Sequence, residues 1–425
     1  MATQKHSDWL HAFAVFTIFC SFILIGMGGL VTSRDAGLAV LDWPTSFGYN
    51  MFLLPLDQWI GKFGIFEEHS HRLMAAAVGL FTAIITGWIW IRESTGIPRR
   101  VALGAIAITL LLMGVRTQPM FVAMACLALS TVGLALVKIC YNRKALRWWA
   151  CLVYSMVIIQ GVLGGLRVTL LKDQIGVIHG ALAQVFLVAL GLVTLFNSRW
   201  WKQFRLAKSA NDLAPRVVQS HFFYATLLIF IQLIIGATMR HQHAGLPIWD
   251  FPKAHGQWWP STDEKSLADY NDRRIALQRK LHAANESVDS MGNPTIFLHT
   301  GKDIQASHVS LQMVHRAIAV LILGLVLGTA TLTRKKLGSR HVLSKLSLLW
   351  LVLTLGQIIL GILTVIKYKP ADIATLHVLF GAASLLVGAM GSAICRTREL
   401  PAIVGRPVSE IADDRATPQL KGLYL

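Results

Sequence analysis

Apolar residues in this chain gather into long unbroken runs rather than the alternating or every-third-and-fourth patterns of soluble strands and helices. Ten such runs lie near 11–32, 71–91, 101–115, 121–139, 148–168, 175–196, 220–239, 309–333, 343–366 and 374–394. A helix needs roughly 20 apolar residues to cross about 30 Å of hydrocarbon. Most of the runs meet that length, and the third is the shortest. The pattern predicts an all-α polytopic membrane protein with about ten transmembrane helices, or eight without the third and fourth.

Charge between the runs sets an orientation. Basic residues collect at Arg99 and Arg100, at Arg143, Lys144 and Arg147, at Arg199, Lys202, Arg205, Lys208 and Arg216, and at Arg334, Lys335, Lys336 and Arg340. The alternate short connectors hold only Arg116, or Lys172, or Lys367 and Lys369. By the positive-inside rule the basic connectors and both termini are cytoplasmic. The long segments 33–68 and 240–308 then lie outside. The net charge of +18 is spread over these connectors, with no basic surface interleaved with aromatics, so nucleic acid is not an expected partner. Only 15% of residues are charged, against about a quarter in soluble domains. The five cysteines, Cys20, Cys126, Cys140, Cys151 and Cys395, form no CxxC pair, which argues against a zinc site or a disulfide framework. No cleavage site follows the first run, which is expected to stay as an anchor, and no Arg- and Ser-rich leader precedes it. A bacterial plasma membrane, the inner membrane, is the expected location. The polar stretch Ser261 to Ser290 carries Leu267, Tyr270, Ile275, Leu277 and Leu281, enough for a short surface helix at most.

An internal repeat organises the chain. Residues 36–44 read AGLAVLDWP and residues 244–252 read AGLPIWDFP, with Gly28 and Gly236 at the same offset before them. Glu68-His-Ser-His71-Arg72 matches Gln312-Met-Val-His315-Arg316, and Gln160-Gly-Val-Leu-Gly164 leading to His179 matches Gln357-Ile-Ile-Leu-Gly361 leading to His377. These pairs predict two homologous four-helix bundle halves, 1–200 and 201–400, followed by a cytoplasmic tail over 401–425. His71 and His179 are 108 residues apart, whereas His315 and His377 are 62 apart. The excess fits a helix pair inserted in the first half at about 97–142.

Histidine inside an apolar helix is costly without a partner. His71, His179, His315 and His377 occupy matching places, each near the start of a helix that begins outside. In each half the two histidines come from different helices, the arrangement by which a bundle holds a heme between two neutral imidazoles. Arg72 and Arg316 directly follow a histidine, and a planar guanidinium suits a heme propionate. Glu68 precedes His71 by three residues on one helical face, while Gln312 takes that place before His315. This asymmetry points to chemistry in the first half and electron transfer in the second. His241 and His243, beyond the seventh run, read as ordinary interfacial residues.

Together, Gly-Gly-Leu-Val-Thr at 28–32, AGLAVLDWP, Glu68-x-x-His71-Arg72, Gln160 through His179, His315-Arg316 and His377 resemble the heme A synthase family. The resemblance implies a membrane oxidoreductase that converts the C8 methyl group of heme O to the formyl group of heme A, through successive hydroxylation and loss of water from a geminal diol. It implies that His71 and His179 hold the substrate heme with Glu68 as the catalytic residue, and that His315 and His377 ligate a resident heme b. Heme O synthase, cytochrome oxidase assembly factors and an unidentified electron donor are the expected partners. Some members carry a cysteine pair in the first outside loop. Here Asp42 and Trp43 stand in that region, so the chain resembles the cysteine-free branch. Two other readings explain part of the pattern: a diheme b-type cytochrome that only transfers electrons, and a transporter built on the repeat.

Overall fold

A bilayer core offers no water to backbone amides, so a chain crossing it must satisfy them within its own helices. The apolar runs fold accordingly. The computed structural model describes residues 2–34, 36–112, 118–142, 145–207, 214–242, 244–283 and 303–396. In chain order the helices are α1 (Ala2–Ser33), α2 (Ile65–Glu93), α3 (Gly96–Leu112), α4 (Gln118–Tyr141), α5 (Leu146–Leu170), α6 (Asp173–Asn197), α7 (Arg199–Ala207), α8 (Arg216–His241), α9 (Glu264–Ala283), α10 (Ala306–Leu337), α11 (Val342–Ile366) and α12 (Ala371–Cys395). Among the described residues nine are long and apolar enough to cross a membrane. The shortest predicted run emerges as α3, with 17 residues, at the lower end of the roughly 17–25 that span hydrocarbon.

Two four-helix bundles form. In the first, α1 packs on α2 and α6, and α5 packs on the same two. In the second, α8 and α11 each pack on α10 and α12. The bundles meet where α1 and α6 face α8 and α12. The inserted pair stays outside the first ring, with α3 against α2 and α4 against α5. Each bundle has its own apolar interior. Leu10, Val78, Ile85, Ile89, Leu190 and Val193 fill the first, and Val218, Phe222, Val326, Leu343, Trp350 and Leu385 fill the second. There the Phe222 and Trp350 rings stack at 5.4 Å.

The two long connectors fold alike where their sequences repeat. Asp42 accepts the backbone N–H groups of Phe47 (2.8 Å) and Gly48 (2.9 Å), and Asp250 accepts those of His255 (2.8 Å) and Gly256 (2.9 Å). Phe47 and His255 share a left-handed backbone, with φ of 52° and 50°, and each is followed by a left-handed glycine. A two-strand turn, β1 (Thr45–Ser46) against β2 (Tyr49–Asn50), closes the first loop.

The polar stretch differs from expectation. It holds α9, a helix of 20 residues rather than a short one. Tyr270, Arg274, Leu277 and Leu281 recur at helical spacing and form one stripe. Tyr270 joins Ile248, Ala254, Ile304, Val309 and Met313 in a cluster that binds α9 to the second loop and to α10. Asp263 caps its start by accepting the Ser266 N–H at 2.9 Å.

Candidate functional site

Each of the four histidines meets a glycine on the helix that precedes it in its bundle. A β-carbon added at Gly28 on α1 would lie 3.0 Å from His71 Cε1 on α2, and one at Gly164 on α5 would lie 3.2 Å from His179 Cε1 on α6. In the second bundle the distances are 3.5 Å from Gly236 on α8 to His315 on α10, and 3.1 Å from Gly361 on α11 to His377 on α12. At Gly28, Gly164 and Gly361 an added β-carbon would be crowded against the ring, and at Gly236 it would just touch it. The repeating unit is thus a pair of helices with a histidine cradled on a glycine, present four times. All four rings lie inside the bundles, yet each keeps part of its surface accessible. The Nδ1 atoms of His71, His179 and His315 are buried without a hydrogen-bond partner.

In the second bundle the histidines face one another: the His315 and His377 ring centres are 6.4 Å apart, with planes tilted by 59°. In the first bundle His71 and His179 stand at the equivalent places on α2 and α6, each against its glycine. A bond of about 2 Å from each imidazole nitrogen to a shared metal, plus roughly 1 Å from nitrogen to ring centre, separates two axial rings by about 6 Å. The second pair has that separation. Among the described residues no group of three or more His, Cys, Asp or Glu side chains is placed to hold a metal, and each histidine pair offers two imidazoles. Two opposed neutral imidazoles, cradled so that one edge of each stays open, fit the axial positions of a heme iron.

Glutamines brace the histidines. Gln160 Nε2 donates to the His179 carbonyl at 2.7 Å, and Gln232 Nε2 donates to the His315 carbonyl at 2.8 Å. His377 Nδ1 donates to the Gln357 carbonyl at 3.0 Å. The Gln160 and Gln357 motifs are visible in the sequence. Gln232 was missed there, because its histidine lies far along the chain, beyond the second long loop.

Glu68 and Arg72 turn toward the first loop. Glu68 accepts the Val40 N–H at 3.0 Å and pairs with Arg72 at 2.6 Å, in a nearly buried i,i+4 ion pair. Arg72 also donates to the carbonyls of Val40 (2.6 Å), Asp42 (2.8 Å) and Thr45 (3.1 Å). Gln312 makes the corresponding clamp on the second loop: its oxygen accepts the Ile248 N–H at 3.0 Å and its nitrogen donates to the Ile248 carbonyl at 2.9 Å. Arg316 donates to the carbonyls of Asp250 (2.8 Å) and Lys253 (3.1 Å). Val40 and Ile248 are equivalent in the repeat, so carboxylate and amide do the same mechanical work. The four residues therefore lie beside the histidines while anchoring the loops above them.

Three further residues come to the site. Arg167 on α5 lies against Gly37 and acts electrostatically on both His71 and His179. Its signal in the sequence is a charge inside an apolar run, and the equivalent residue in the second half is Thr364. Arg240 reaches across from α8 to α1, donating to the Gly29 carbonyl at 2.6 Å and to Ser33 Oγ, and acts on His377. His241 packs on Gly176 of α6 and acts on His179. Arg240 and His241 thus connect the two bundles, a closer involvement than that of an interfacial residue. His243 lies outside the described residues.

Residues 119–390, from α4 through α12, match the family COX15-CtaA, described as cytochrome oxidase assembly protein. The chain is similar to a heme A synthase of Beijerinckia indica subsp. indica, 24% identical over an alignment of 411 positions that covers 91% of each chain. It is also similar to a heme A synthase of Shouchella clausii, at 21% identity over 85% of this chain and 88% of that one. A heme A synthase of Shewanella oneidensis is 22% identical, covering 87% of this chain and 91% of its own.

Proposed function

We propose, for a chain that belongs to the COX15-CtaA family of cytochrome oxidase assembly proteins, that it oxidises the C8 methyl group of heme O to the formyl group of heme A. His71 and His179 hold the substrate heme, and His315 and His377 ligate a resident heme b. The observation that carries this reading is the glycine-cradled histidine pair, present in both bundles and spaced in the second as axial ligands require. When bound, heme b supplies one-electron redox chemistry beside the substrate site. Two hydroxylations of the methyl carbon, each a two-electron oxidation that draws on an oxidant from outside the chain, would give a geminal diol, and loss of water from it would give the formyl group.

The chain's own residues set the geometry. The glycines fix how far each imidazole stands from its neighbouring helix, and the bundle walls exclude bulk water. Arg167, facing both first-half histidines, suits a carboxylate of the bound substrate. Arg72 and Arg316 hold the loops beside each pair, where their remaining donors can meet a heme propionate. Glu68, one helical turn from His71, is the carboxylate to which we assign a part in the chemistry, in addition to its hold on the first loop. The protein sits in a lipid bilayer, and we place it in a bacterial plasma membrane with both termini cytoplasmic, so that the loops and the histidine pairs lie at the outer side. Without a cysteine in the first loop, the chain fits the cysteine-free branch, and electrons enter from a donor other than a loop thiol. Heme O synthase is a fitting supplier of substrate, and cytochrome oxidase assembly factors are fitting acceptors of product.

A second reading, a diheme cytochrome that only transfers electrons, gains from one observation. The Glu68/Gln312 difference is accommodated by equivalent loop clamps and so does not by itself require chemistry in the first half. Purified protein supplied with heme O and a reductant in air, followed by extraction and chromatography of its hemes, separates the readings. Heme A in the extract supports the synthase; unchanged heme O with two bound hemes supports the cytochrome.

A further inference from the structure

The residue one helical turn before each cradling glycine is Leu24 on α1, Gln160 on α5, Gln232 on α8 and Gln357 on α11. Three of these carry an amide and one does not. The amides are directed at the histidine segments. Gln160 and Gln232 donate to the carbonyls of His179 and His315. Gln357 Nε2 lies 3.4 Å from His377 Nε2, while the Gln357 main-chain carbonyl accepts from His377 Nδ1. The side-chain oxygens of all three glutamines are buried with no hydrogen-bond partner, as are the Nδ1 atoms of His179 and His315. Such unpaired buried groups carry a free-energy cost. An imidazole that binds metal through Nε2 holds its proton on Nδ1, and an acceptor for that proton fixes the ring and strengthens its donation. At His71 the residue in the glutamine's place is Leu24, whose main-chain carbonyl lies at the ring but whose side chain can donate nothing to the His71 main chain.

We propose that Gln160, Gln232 and Gln357 are positioning residues for His179, His315 and His377, the first two through side-chain donation to the histidine main chain and the third through the bond of its main-chain carbonyl with His377 Nδ1, and that Leu24, which has no amide, leaves His71 the most readily displaced of the four ligands. This rests on the reading of the histidine pairs as axial ligands. The consequence is directional: coordination at the first pair opens on the α2 side, the side that carries Glu68. The second pair is braced on both sides and stays closed, as a site that only passes electrons should.

The test uses the full-length protein with its bound hemes, and three readouts: heme retained through gel filtration, midpoint potential, and the rate at which added imidazole or cyanide displaces a native ligand. Gln232→Leu should weaken heme retention at the second pair by about tenfold. Gln232→Met keeps the side-chain volume but has no amide to donate to the His315 carbonyl, so it should lose heme as Gln232→Leu does. A packing role alone lets Gln232→Met keep its heme and its midpoint potential, and that result overturns the positioning role. At the first pair, Leu24→Gln should slow ligand displacement about tenfold, and Gln160→Leu should make it faster and less selective between the two sides. Unchanged displacement in both variants overturns the assignment of His71 as the labile ligand. Wild-type protein without heme, or His71→Ala and His315→Ala variants that keep both hemes low-spin, would instead defeat the underlying reading of the pairs.

Discussion

Replacing Glu68 with glutamine separates its two possible duties. In the structure its carboxylate accepts the Val40 N–H and the Arg72 guanidinium. An amide keeps the shape and can still accept from Val40, but it cannot pair with Arg72. Arg72 would retain the carbonyls of Val40, Asp42 and Thr45, so it is not left as an isolated buried charge. The loss is therefore one charge-assisted hydrogen bond, about 1.5–3 kcal/mol, below the roughly 3–5 kcal/mol of a buried pair broken outright. Hydrogen exchange of residues 36–50 in lipid nanodiscs should accelerate by about ten- to a hundredfold, since each 1.4 kcal/mol is a factor of ten. The reverse exchange, Gln312→Glu, should be worse for the second loop. Its carboxylate would face the Ile248 carbonyl that the amide now donates to, while Arg316 is engaged with Asp250 and Lys253. Unchanged protection of residues 36–50 in Glu68→Gln refutes the clamp. If heme O oxidation is nonetheless abolished, Glu68 acts at the reacting group alone.

Other outcomes follow from the same contacts. Gly361→Ala places a methyl 3.1 Å from His377 Cε1, a crowding that costs about 1–3 kcal/mol and should perturb the low-spin bands of the second-pair heme, read by absorption and electron paramagnetic resonance. Arg167→Gln should reduce retention of the first-pair heme while leaving the second intact, read as heme extracted per protein. His255 packs under α9 by stacking on Tyr270, with ring centres 3.7 Å apart. Burial lowers its pKa, an effect only partly offset by the Pro247 carbonyl it donates to. The detached state therefore takes up the proton first, so the packing is at full strength above the usual histidine range near 6.5 and weakens as pH falls through and below it. Exchange of residues 264–283, corrected for intrinsic rate, should quicken between pH 7.5 and 5.5, and His255→Phe, which copies Phe47 of the first loop, should remove that dependence.

Sequence carries much of this because duplication writes each feature twice. The histidines, their following arginines and the two loop motifs repeat in order, and the structure puts each copy in an equivalent place. The loop clamps were half legible. Glu68 was read with His71 at a spacing of three, while its partner is Arg72 at four, a spacing equally present in the sequence. The cradling glycines were not legible as a set, because each meets its histidine across an interhelical contact that no local spacing encodes. Arg167 stood out only as a charge in an apolar run and has no counterpart in the repeat to mark it. The length of α9 was hidden by its polarity. Its apolar stripe is narrow, and Arg274 lies within it with only 7% of its surface exposed.

What distinguishes the halves bears on the proposal that the first is the substrate site. The Glu68/Gln312 difference is the one sequence brings forward, yet both side chains serve equivalent loop clamps. Two quieter differences bear on the pairs themselves. Leu24 stands where the second half has Gln232, and Arg167 stands where it has Thr364. The first leaves His71 without a side-chain brace, and the second puts a cation inside the apolar run of α5, against Gly37. A resident electron carrier benefits from rigid coordination. A site that must admit a heme, act on it and release it benefits from one loosely held ligand and a charge that grips the substrate's carboxylates. Both differences fall in the first half, and they agree with its proposed role as the substrate site without recourse to Glu68. Exchanging the two residues for their second-half counterparts, Leu24→Gln with Arg167→Thr, should convert the first pair toward a tightly coordinated, slowly exchanging heme. Rapid exchange of that heme in the double variant would count against the assignment.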